Sequence, residues 1–278
     1  MMIKNEIKEK KISAIATCYN ENRYKLINSI NSILNQNYKN FEIVFVVFKN
    51  DINIKFLEEY NKLTNFKLIK TKEKKTFVKC LNICIKNSDG EYIARFDTDD
   101  ISKANRFSEQ IRIFSKLDIH ILGSNIECIY NDKKIIKRIY PEEHDNIIKR
   151  FSLSNSICHP SVMIKKKTFE NFGYYNEKYV RCEDLELWFR FLKKGLIFHN
   201  IQKELLVYDM KVESKNFIKI RDKLNYLYSL RARTIYSFQI FNFYDAIKSI
   251  FVHFLLYIIP NFILNFFNKK KFGNFIGY

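Results

Sequence analysis

Glycine, proline and tryptophan are scarce in this chain, which has 6, 3 and 1 of them in 278 residues. Lys, Asn, Ile, Tyr and Phe are abundant instead, and this bias is the one expected of an AT-rich genome. Hydrophobic residues still make up 47% of the chain, enough for one large or two small domains, so disorder is not expected. Because part of the lysine excess is the same bias, the net charge of +18 only weakly indicates an anionic partner.

Several functional signals are also missing. No block of aromatic residues interleaved with Arg and Lys suggests nucleic-acid readout, so we expect no nucleic acid partner. The six cysteines follow neither a zinc spacing nor a disulfide framework, which fits a reducing cytoplasm. The first eleven residues are charged and lack an apolar core, so we do not expect a secretory signal there.

Strands and helices alternate through the first half of the sequence. Apolar runs predict strands at 12–17, 41–48, 66–69 and 92–96, and helical spacing predicts helices after residue 22, at 51–63 and at 76–86. This order predicts an α/β fold with a mostly parallel sheet flanked by helices. Further along, we expect helices at 105–117 and 181–194 and short strands at 119–122, 126–130 and 135–139.

Three carboxylates, Asp97, Asp99 and Asp100, follow the strand at 92–96 directly. The C-terminal edge of such a sheet is where ligands bind, and carboxylate oxygens are the ligands that Mg²⁺ or Mn²⁺ requires. The stretch from Ser102 to Arg106 is expected to lead into a helix. An isolated D-x-D is more often a capped turn, but its position after a buried-looking strand favours a metal and phosphate site.

A second acidic centre, Glu183 and Asp184, opens the helix at 181–194, ahead of its apolar face. Carboxylates in this position can be simple capping acids, which the helix dipole favours by roughly 0.3–1 kcal/mol each.

Four motifs follow one another between residues 12 and 210. They are Thr17-x-Tyr19-Asn20 with 32–36, Gly90 to Asp100, His159-Pro160-Ser161-Val162-Met163, and Glu183-Asp184 with Trp188. In order and spacing, these motifs resemble the family 2 glycosyltransferases of the GT-A fold, above all bacterial members that build capsule, exopolysaccharide or lipopolysaccharide chains. Each motif alone is weak, but the four together form a strong signal.

The resemblance implies a nucleotide-diphosphate sugar as donor. Donor-binding residues would be Thr17, Tyr19, Glu21, Arg95, Asp97 and Asp99. Of these, Thr17, Tyr19 and Glu21 would line the nucleoside pocket. Asp99, with Asp97, would hold Mn²⁺ or Mg²⁺, and Asp100 would support it. A metal there stabilises the charge of the departing diphosphate.

The resemblance also implies an acceptor side. Glu183 and Asp184 match its acid pair, and Asp184 is the expected catalytic base, with Glu183 next. His159 and Trp188 are expected at the acceptor or between the two halves. Because direct displacement inverts the anomeric centre, we expect an inverting enzyme of the hexosyltransferase type.

Two stretches depart from the family pattern. Phe48 stands where an acid that contacts the base is expected, so Asp51 could take over, Phe48 could stack on the base, or donor binding could be altered or lost. Lys74 to Phe77 replaces Asn-x-Gly-Leu and removes a glycine that allows close backbone approach. The nucleotide base therefore stays open.

We expect a glycosyltransferase domain over residues 1–212, with a nucleotide-binding half to about residue 100 and an acceptor half from 101 to 212. A basic, aromatic tail follows at 213–278. Its uncharged run at 249–268 precedes Lys269-Lys270-Lys271. Interfacial amphipathic helices are the first interpretation, a packed core the second and a membrane span the third. Membrane contact through 215–278 would fit a lipid-linked acceptor at the inner face of the cytoplasmic membrane.

Two other functions compete with transfer. A catalytically silent GT-A-like subunit of a polysaccharide assembly complex would explain the Phe48 and Thr76 departures, whereas the intact acids argue against it. A nucleotidyltransferase would need a Gly-rich, Lys-bearing loop after the first strand, and residues 17–22 supply none.

Overall fold

The structure, a computed structural model, describes residues 10–73, 75–130, 134–210 and 223–259. Its strands are β1 (Ile12–Cys18), β2 (Phe41–Phe48), β3 (Phe66–Thr71), β4 (Tyr92–Arg95), β5 (Ile101–Ser102), β6 (Ile121–Tyr130), β7 (Lys134–Arg138), β8 (Met163–Lys165) and β9 (Phe198–Met210). Its α-helices are α1 (Arg23–Leu34), α2 (Ile54–Tyr60), α3 (Phe77–Lys86), α4 (Arg106–Phe114), α5 (His144–Phe151), α6 (Lys166–Phe172), α7 (Glu183–Lys193), α8 (Lys223–Ile240) and α9 (Phe243–Ile258).

One sheet runs through the protein in the order β3-β2-β1-β4-β8-β6-β9-β5, and β7 pairs with β6 outside this path. The first four strands are parallel, as the alternating pattern predicts. β8 then runs antiparallel to both of its neighbours, and β9 is parallel to β6. The expected α/β architecture is confirmed, and its second half is more mixed than its first.

The parallel half forms because its strands are covered on both faces. β2 is buried over its first seven residues, which explains its almost wholly apolar sequence. The preceding helix α1 buries Leu26, Ile30 and Ile33, and the side chain of Asn22 caps it by accepting from two backbone N–H groups. The Thr76 side chain caps α3 by accepting from the Lys79 backbone N–H.

The register of β1 and β4 places their C-terminal ends at one edge of the sheet. Ile15 pairs with Arg95, so the residues after Cys18 and after Arg95 emerge side by side. At the other end of β4, the Gly90 backbone lies so close to β1 that an added Cβ would be 2.6 Å from the Ser13 nitrogen. This approach needs glycine, and Gly90 donates to the Ser13 hydroxyl at 2.8 Å.

Several expected elements differ in the structure. The stretch from Ser102 to Arg106 leads into helix α4 as expected, but residues 101–102 also form the short strand β5 on β9, which was not predicted. The two strands expected at 119–130 are one strand, β6, whose register against β9 shifts between Ser124 and Ile126. Helices α2 and α4 are shorter than expected, and α5, α6 and β9 were not predicted. The turn that we expect at Asn131-Asp132, between the strands at 126–130 and 135–139, and the stretch from Pro260 onward lie outside the described residues.

The inner faces of α8 and α9 belong to the main core. Ala232, Phe241 and Ala246 join the buried cluster that contains Trp188. The buried Arg233 guanidinium ties the two helices to the body by donating to the Phe151 and Ser152 carbonyls and to the Ser249 hydroxyl at 2.7–2.9 Å. Across the described residues, no helix has the length and apolar content needed to cross a bilayer. The domain boundary near residue 212 stays a prediction.

Candidate active site

The three carboxylates after β4 converge in one turn. Asp97, Asp99 and Asp100 each offer an oxygen within 4.8 Å of the others. Two distant elements hold this turn, because the Ser29 hydroxyl of α1 donates to the Asp97 carbonyl at 2.6 Å and the Asp209 N–H of β9 donates to the Asp100 carboxylate at 3.1 Å. The turn is thus fixed by the fold around it.

This carboxylate cluster has the chemistry of a divalent-cation site. Burial, and then the charges of Asp97 and Asp99, raise the pKa of Asp100 well above its usual value. One oxygen of Asp100 is buried and has no hydrogen-bond partner within the described structure. Three crowded oxygen ligands with an unsatisfied buried oxygen fit Mg²⁺ or Mn²⁺, whose positive charge would relieve their repulsion.

Arg95 brings a buried positive charge to the same place. Its Nη2 donates to Asp97, whereas Nε and Nη1 are buried without a hydrogen-bond partner among the described residues. Burial opposes its charge, but the charges of Asp97, Tyr175, Asp100 and Glu183 prevail and raise its pKa. A buried guanidinium with unsatisfied nitrogens suits an anionic ligand.

A cavity of about 240 Å³ lies beside this cluster at the ends of β1 and β2. Its lining residues are Thr17, Cys18, Tyr19, Phe48, Thr71, Lys75, Thr76, Phe77 and Cys80. The Arg95 guanidinium lies 5.6 Å from the centre of the Phe77 ring, so the cavity adjoins this buried positive charge. Thr17 and Tyr19, which are expected in the nucleoside pocket, line this cavity.

Phe48 reaches this cavity and Asp51 does not. Asp51 is buried, and its two carboxylate oxygens accept from the backbone N–H groups of Asn20 and Asn53 at 2.6 and 2.9 Å. This carboxylate supports the loop after β1. Glu21, expected in the nucleoside pocket, lies in the same loop but is not among the lining residues, and its carbonyl accepts from the Asn53 side chain at 2.9 Å.

The acid pair opens α7 directly after Cys182, whose left-handed φ of 54° turns the chain sharply into the helix. Asp184 accepts from the Leu185 N–H at 2.8 Å and from the Asn155 side chain at 3.2 Å, so its carboxylate is oriented. Burial, the charge of Asp184 and that of Asp97 raise the pKa of Glu183 to about 7, although Arg95 opposes this. The charges of Asp97 and Arg95 thus act on Glu183 at the start of α7.

The shifted titration of Glu183 predicts a pH-dependent stability. Because the folded state binds this proton more tightly than the unfolded state, the free energy of unfolding falls as pH rises from about 4.5 to about 7. Glu183→Gln removes this loss. We expect thermal unfolding to show the variant gaining on the wild type at about pH 8 relative to about pH 4.5. Glu177→Gln, at an exposed acid, is the control and should show no such trend; equal offsets at both pH values for Glu183→Gln would contradict the prediction.

His159 and Trp188 lie deeper than their expected roles suggest. His159 is buried, its Nε2 lies 2.6 Å from the Tyr175 hydroxyl, and burial and the charge of Arg95 lower its pKa well below its usual value. Trp188 has no exposed surface and presents its ring edge-on to His159. Trp188 therefore supports His159 from within the core, and burial disfavours the charged form of the His159 ring.

The sequence model of the family described as "Glycosyl transferase family 2" matches residues 13–173. The chain belongs to this family. It is 31% identical to the O-antigen biosynthesis glycosyltransferase WbnJ of Escherichia coli over 202 residues, which cover 71% of this chain and 78% of that protein. It is 30% identical to an E. coli UDP-Gal:α-D-GlcNAc-diphosphoundecaprenol β-1,3-galactosyltransferase over 202 residues, covering 70% and 71% of the two chains.

The fold agrees with this family assignment. The solved structure of TarS residues 1–349 from S. aureus, in complex with UDP-GlcNAc, matches with a TM-score of 0.68 at 16% identity, covering 94% of this chain and 76% of that one. The expected GT-A fold and the family resemblance are confirmed, and the chain is a glycosyltransferase with relatives in bacterial polysaccharide synthesis.

Three residues that build this family 2 site were not predicted. Tyr175 holds His159 and exchanges two hydrogen bonds with the Asn82 side chain of α3 at 2.9 and 3.0 Å. Asp209 closes the carboxylate turn. The fully buried Arg106 links the end of β4 to the residue before β8 by donating to the carbonyls of Arg95 and Val162. None belongs to a motif used above, and only the fold brings them to the site.

Proposed function

We propose that the chain transfers a sugar, with inversion, from a nucleotide-diphosphate sugar to a lipid-linked saccharide in bacterial surface polysaccharide synthesis. The observation that carries this proposal is the convergence of Asp97, Asp99 and Asp100 beside the buried Arg95 guanidinium, whose charge also acts on Glu183. A group that can bind a diphosphate and a group that can accept a proton then belong to one site, as a two-substrate displacement requires.

The donor would lie along the edge formed by β1, β2 and β4. Its nucleoside would occupy the cavity lined by Thr17, Tyr19 and Phe48, and its diphosphate would meet the unsatisfied nitrogens of Arg95. Two relatives support a nucleotide sugar: TarS is in complex with UDP-GlcNAc, and the galactosyltransferase is named for UDP-Gal. Glu21 would act through the loop after β1.

Asp97 and Asp99 would hold Mn²⁺ or Mg²⁺, and Asp100, anchored by the Asp209 N–H, would complete the turn. When bound, the metal supplies positive charge for the departing nucleoside diphosphate without a proton. Arg95 would place a fixed positive charge next to the oxygens of the same diphosphate.

Asp184 is our choice for the base, with Glu183 next. The acceptor hydroxyl would lose its proton to a carboxylate oxygen of Asp184 while its oxygen bonds to the anomeric carbon. The bond from that carbon to the diphosphate oxygen breaks on the opposite face, which inverts the centre. The hydrogen bond from Asn155 would orient the base, and such positioned bases contribute roughly 10²–10⁴-fold. His159, supported by Trp188, would shape the wall between the two halves.

The acceptor side would include α8 and α9. A cavity of about 70 Å³ lies between the start of α7 and these helices, and it is lined by Asp184, Asn155, Ser229, Arg233 and His253 among others. The diphosphoundecaprenol in the name of the galactosyltransferase supports a lipid-linked acceptor. We therefore propose that residues 1–212 carry the two substrate-binding halves and that 213–278 holds the enzyme at the inner face of the cytoplasmic membrane.

Phe48 would stack on the nucleotide base. Phe48→Ala removes the ring from the cavity but leaves the carboxylates and Arg95 in place. Since stacking of a base on an aromatic side chain contributes about 1–3 kcal/mol, we expect donor affinity, measured by calorimetry, to fall at least about fivefold. Phe48→Tyr keeps the ring and should bind as the wild type does. Unchanged affinity in Phe48→Ala would place the base elsewhere.

A catalytically silent binding subunit is the alternative, favoured by Phe48 in the cavity where an acid is expected. The experiment that separates the two uses the purified protein with Mn²⁺ or Mg²⁺ and a panel of nucleotide sugars. It measures nucleotide release and donor-induced thermal stabilisation. Metal-dependent stabilisation with release supports the enzyme, stabilisation without release on any acceptor favours the binding subunit, and no stabilisation by any donor contradicts both donor-dependent readings.

A further inference from the structure

Large exposed hydrophobic side chains are concentrated on the outer face of α8 and α9, which we call the hairpin face. Ten of the 21 such residues in the described structure lie there, although the two helices hold only 34 residues. They are Leu224, Leu227, Ile235, Phe238, Phe243, Tyr244, Ile247, Phe251, Phe254 and Ile258. On α9 their spacing of three and four residues places them on one side of the helix.

The hairpin face is continuous. The two helices pack against each other, and the rings of Phe238 at the end of α8 and Phe243 at the start of α9 lie 6.0 Å apart. Phe243 and Tyr244 are more than 70% exposed. An apolar surface of this extent on a soluble domain marks an interaction site.

The opposite side of the same helices faces the active site. Ser229, Arg233, His253 and Leu256 line the small cavity that also contains Asp184. One helix diameter, about 10–12 Å, therefore separates the hairpin face from the proposed base. Whatever binds the hairpin face lies next to the acceptor end of the site.

Charge and composition identify the occupant. Of the four Lys and Arg residues of α8 and α9, Arg233 is buried and Lys223 donates to the carbonyls of Tyr257 and Ile259. The single acidic residue of the two helices, Asp245, lies at the start of α9 and accepts from the Asn242 side chain. Arg231 and Lys248 are exposed, and five of the ten apolar residues are aromatic. Cations beside a stripe of aromatic and aliphatic side chains are typical of helices that lie on anionic membranes. A symmetric contact between two copies would instead bring the cations of one copy towards those of the other.

We infer that the hairpin face is the surface by which the enzyme lies on an anionic lipid bilayer, with its aromatic side chains in the headgroup region and α8 and α9 parallel to the membrane plane. The consequence of this inference rests on the proposed function. Transfer of the donor sugar to the acceptor would take place within about 10–12 Å of the lipid surface, close to the acceptor's lipid anchor. The membrane contact is thus part of the acceptor side of the enzyme.

The test is co-sedimentation of the full chain with vesicles. We expect the wild type to sediment with vesicles of phosphatidylethanolamine and phosphatidylglycerol, and less with vesicles of phosphatidylcholine alone. Phe251→Asp/Phe254→Asp places two carboxylates on the hairpin face, and we expect at least about a tenfold loss of binding to the anionic vesicles. Ile135→Asp/Ile139→Asp is the control. It changes two isoleucines that are each 62% exposed and lie outside α8 and α9, and this variant should bind vesicles as the wild type does.

Donor-induced stabilisation keeps the two proposals separate. It should be unchanged in Phe251→Asp/Phe254→Asp, which also shows that this variant is folded. The inferred membrane contact is contradicted if the wild type does not bind anionic vesicles. It is also contradicted if Phe251→Asp/Phe254→Asp binds them as well as the wild type does. A third contradicting result is that the wild type sediments as a dimer in the ultracentrifuge and fails to bind vesicles, whereas the double variant sediments as a monomer. If no donor stabilises the wild type, the proposed function is contradicted, whereas the vesicle result is unaffected.

Discussion

Asp184→Asn is expected to retain the donor and lose transfer, with the turnover rate reduced by roughly 10²–10⁴-fold. The amide oxygen can still accept from the Leu185 N–H, so the start of α7 is preserved, but an amide cannot take the acceptor's proton. The measurement pairs nucleotide release during transfer with calorimetric donor binding in the presence of Mn²⁺. Transfer should fall while binding stays within about twofold.

Asp145→Asn is the matched control, because Asp145 lies in the first turn of α5 as Asp184 lies in the first turn of α7. Asp145→Asn removes the same favourable interaction with a helix dipole, and this variant should transfer sugar at the wild-type rate. If Asp184→Asn transfers normally and Glu183→Gln does not, the base is Glu183. Equal, intact transfer by both variants would place the base outside this pair.

Asp99→Asn is expected to eliminate metal-dependent donor binding. The amide is a neutral and weaker ligand for a hard cation, and mutating even the outer partners of metal ligands typically lowers metal affinity about 10–100-fold. We expect at least about a 100-fold loss in Mn²⁺-dependent donor affinity, together with loss of the thermal shift that Mn²⁺ and donor produce.

Asp118→Asn provides the comparison, since this exposed acid pairs only at the surface with Lys165 and is remote in sequence from the carboxylate turn. It should bind metal and donor normally. Chelation of the metal from the wild type should reproduce the Asp99→Asn result. Donor binding that survives both chelation and Asp99→Asn would show that Arg95 and the cavity suffice for the donor and that the carboxylates serve another purpose.

The first half of the fold could be predicted because its signals are local. Each strand there is a short apolar run, and two of the helices carry side-chain caps, Asn22 for α1 and Thr76 for α3. Parallel strands joined by helices leave few arrangements, so the position of Asp97 at the sheet edge follows from the order of elements. The family resemblance added expected roles for single residues.

The second half was harder to predict because its structure depends on distant pairings. β5 has two residues and exists only because β9, about 100 positions later, pairs with it. Tyr175 reaches the site through Asn82, a contact across 93 positions that no spacing reveals. Phe48 could be recognised as a departure, but only the geometry shows that Asp51 serves the loop after β1 and that Phe48 faces the cavity.

The hydrogen bond from Asp209 to Asp100 has a consequence for biosynthesis. The carboxylate turn forms early in the sequence, yet the group that anchors it lies at position 209 of 278, at the end of the last strand. Lys25 of α1 pairs with the Asp209 side chain, so the same strand end also fastens the first helix. Until β9 has been synthesised, a nascent chain lacks the Asp209 N–H that holds the Asp100 carboxylate. We therefore expect the carboxylate turn to reach its final form only after residue 209 has been added.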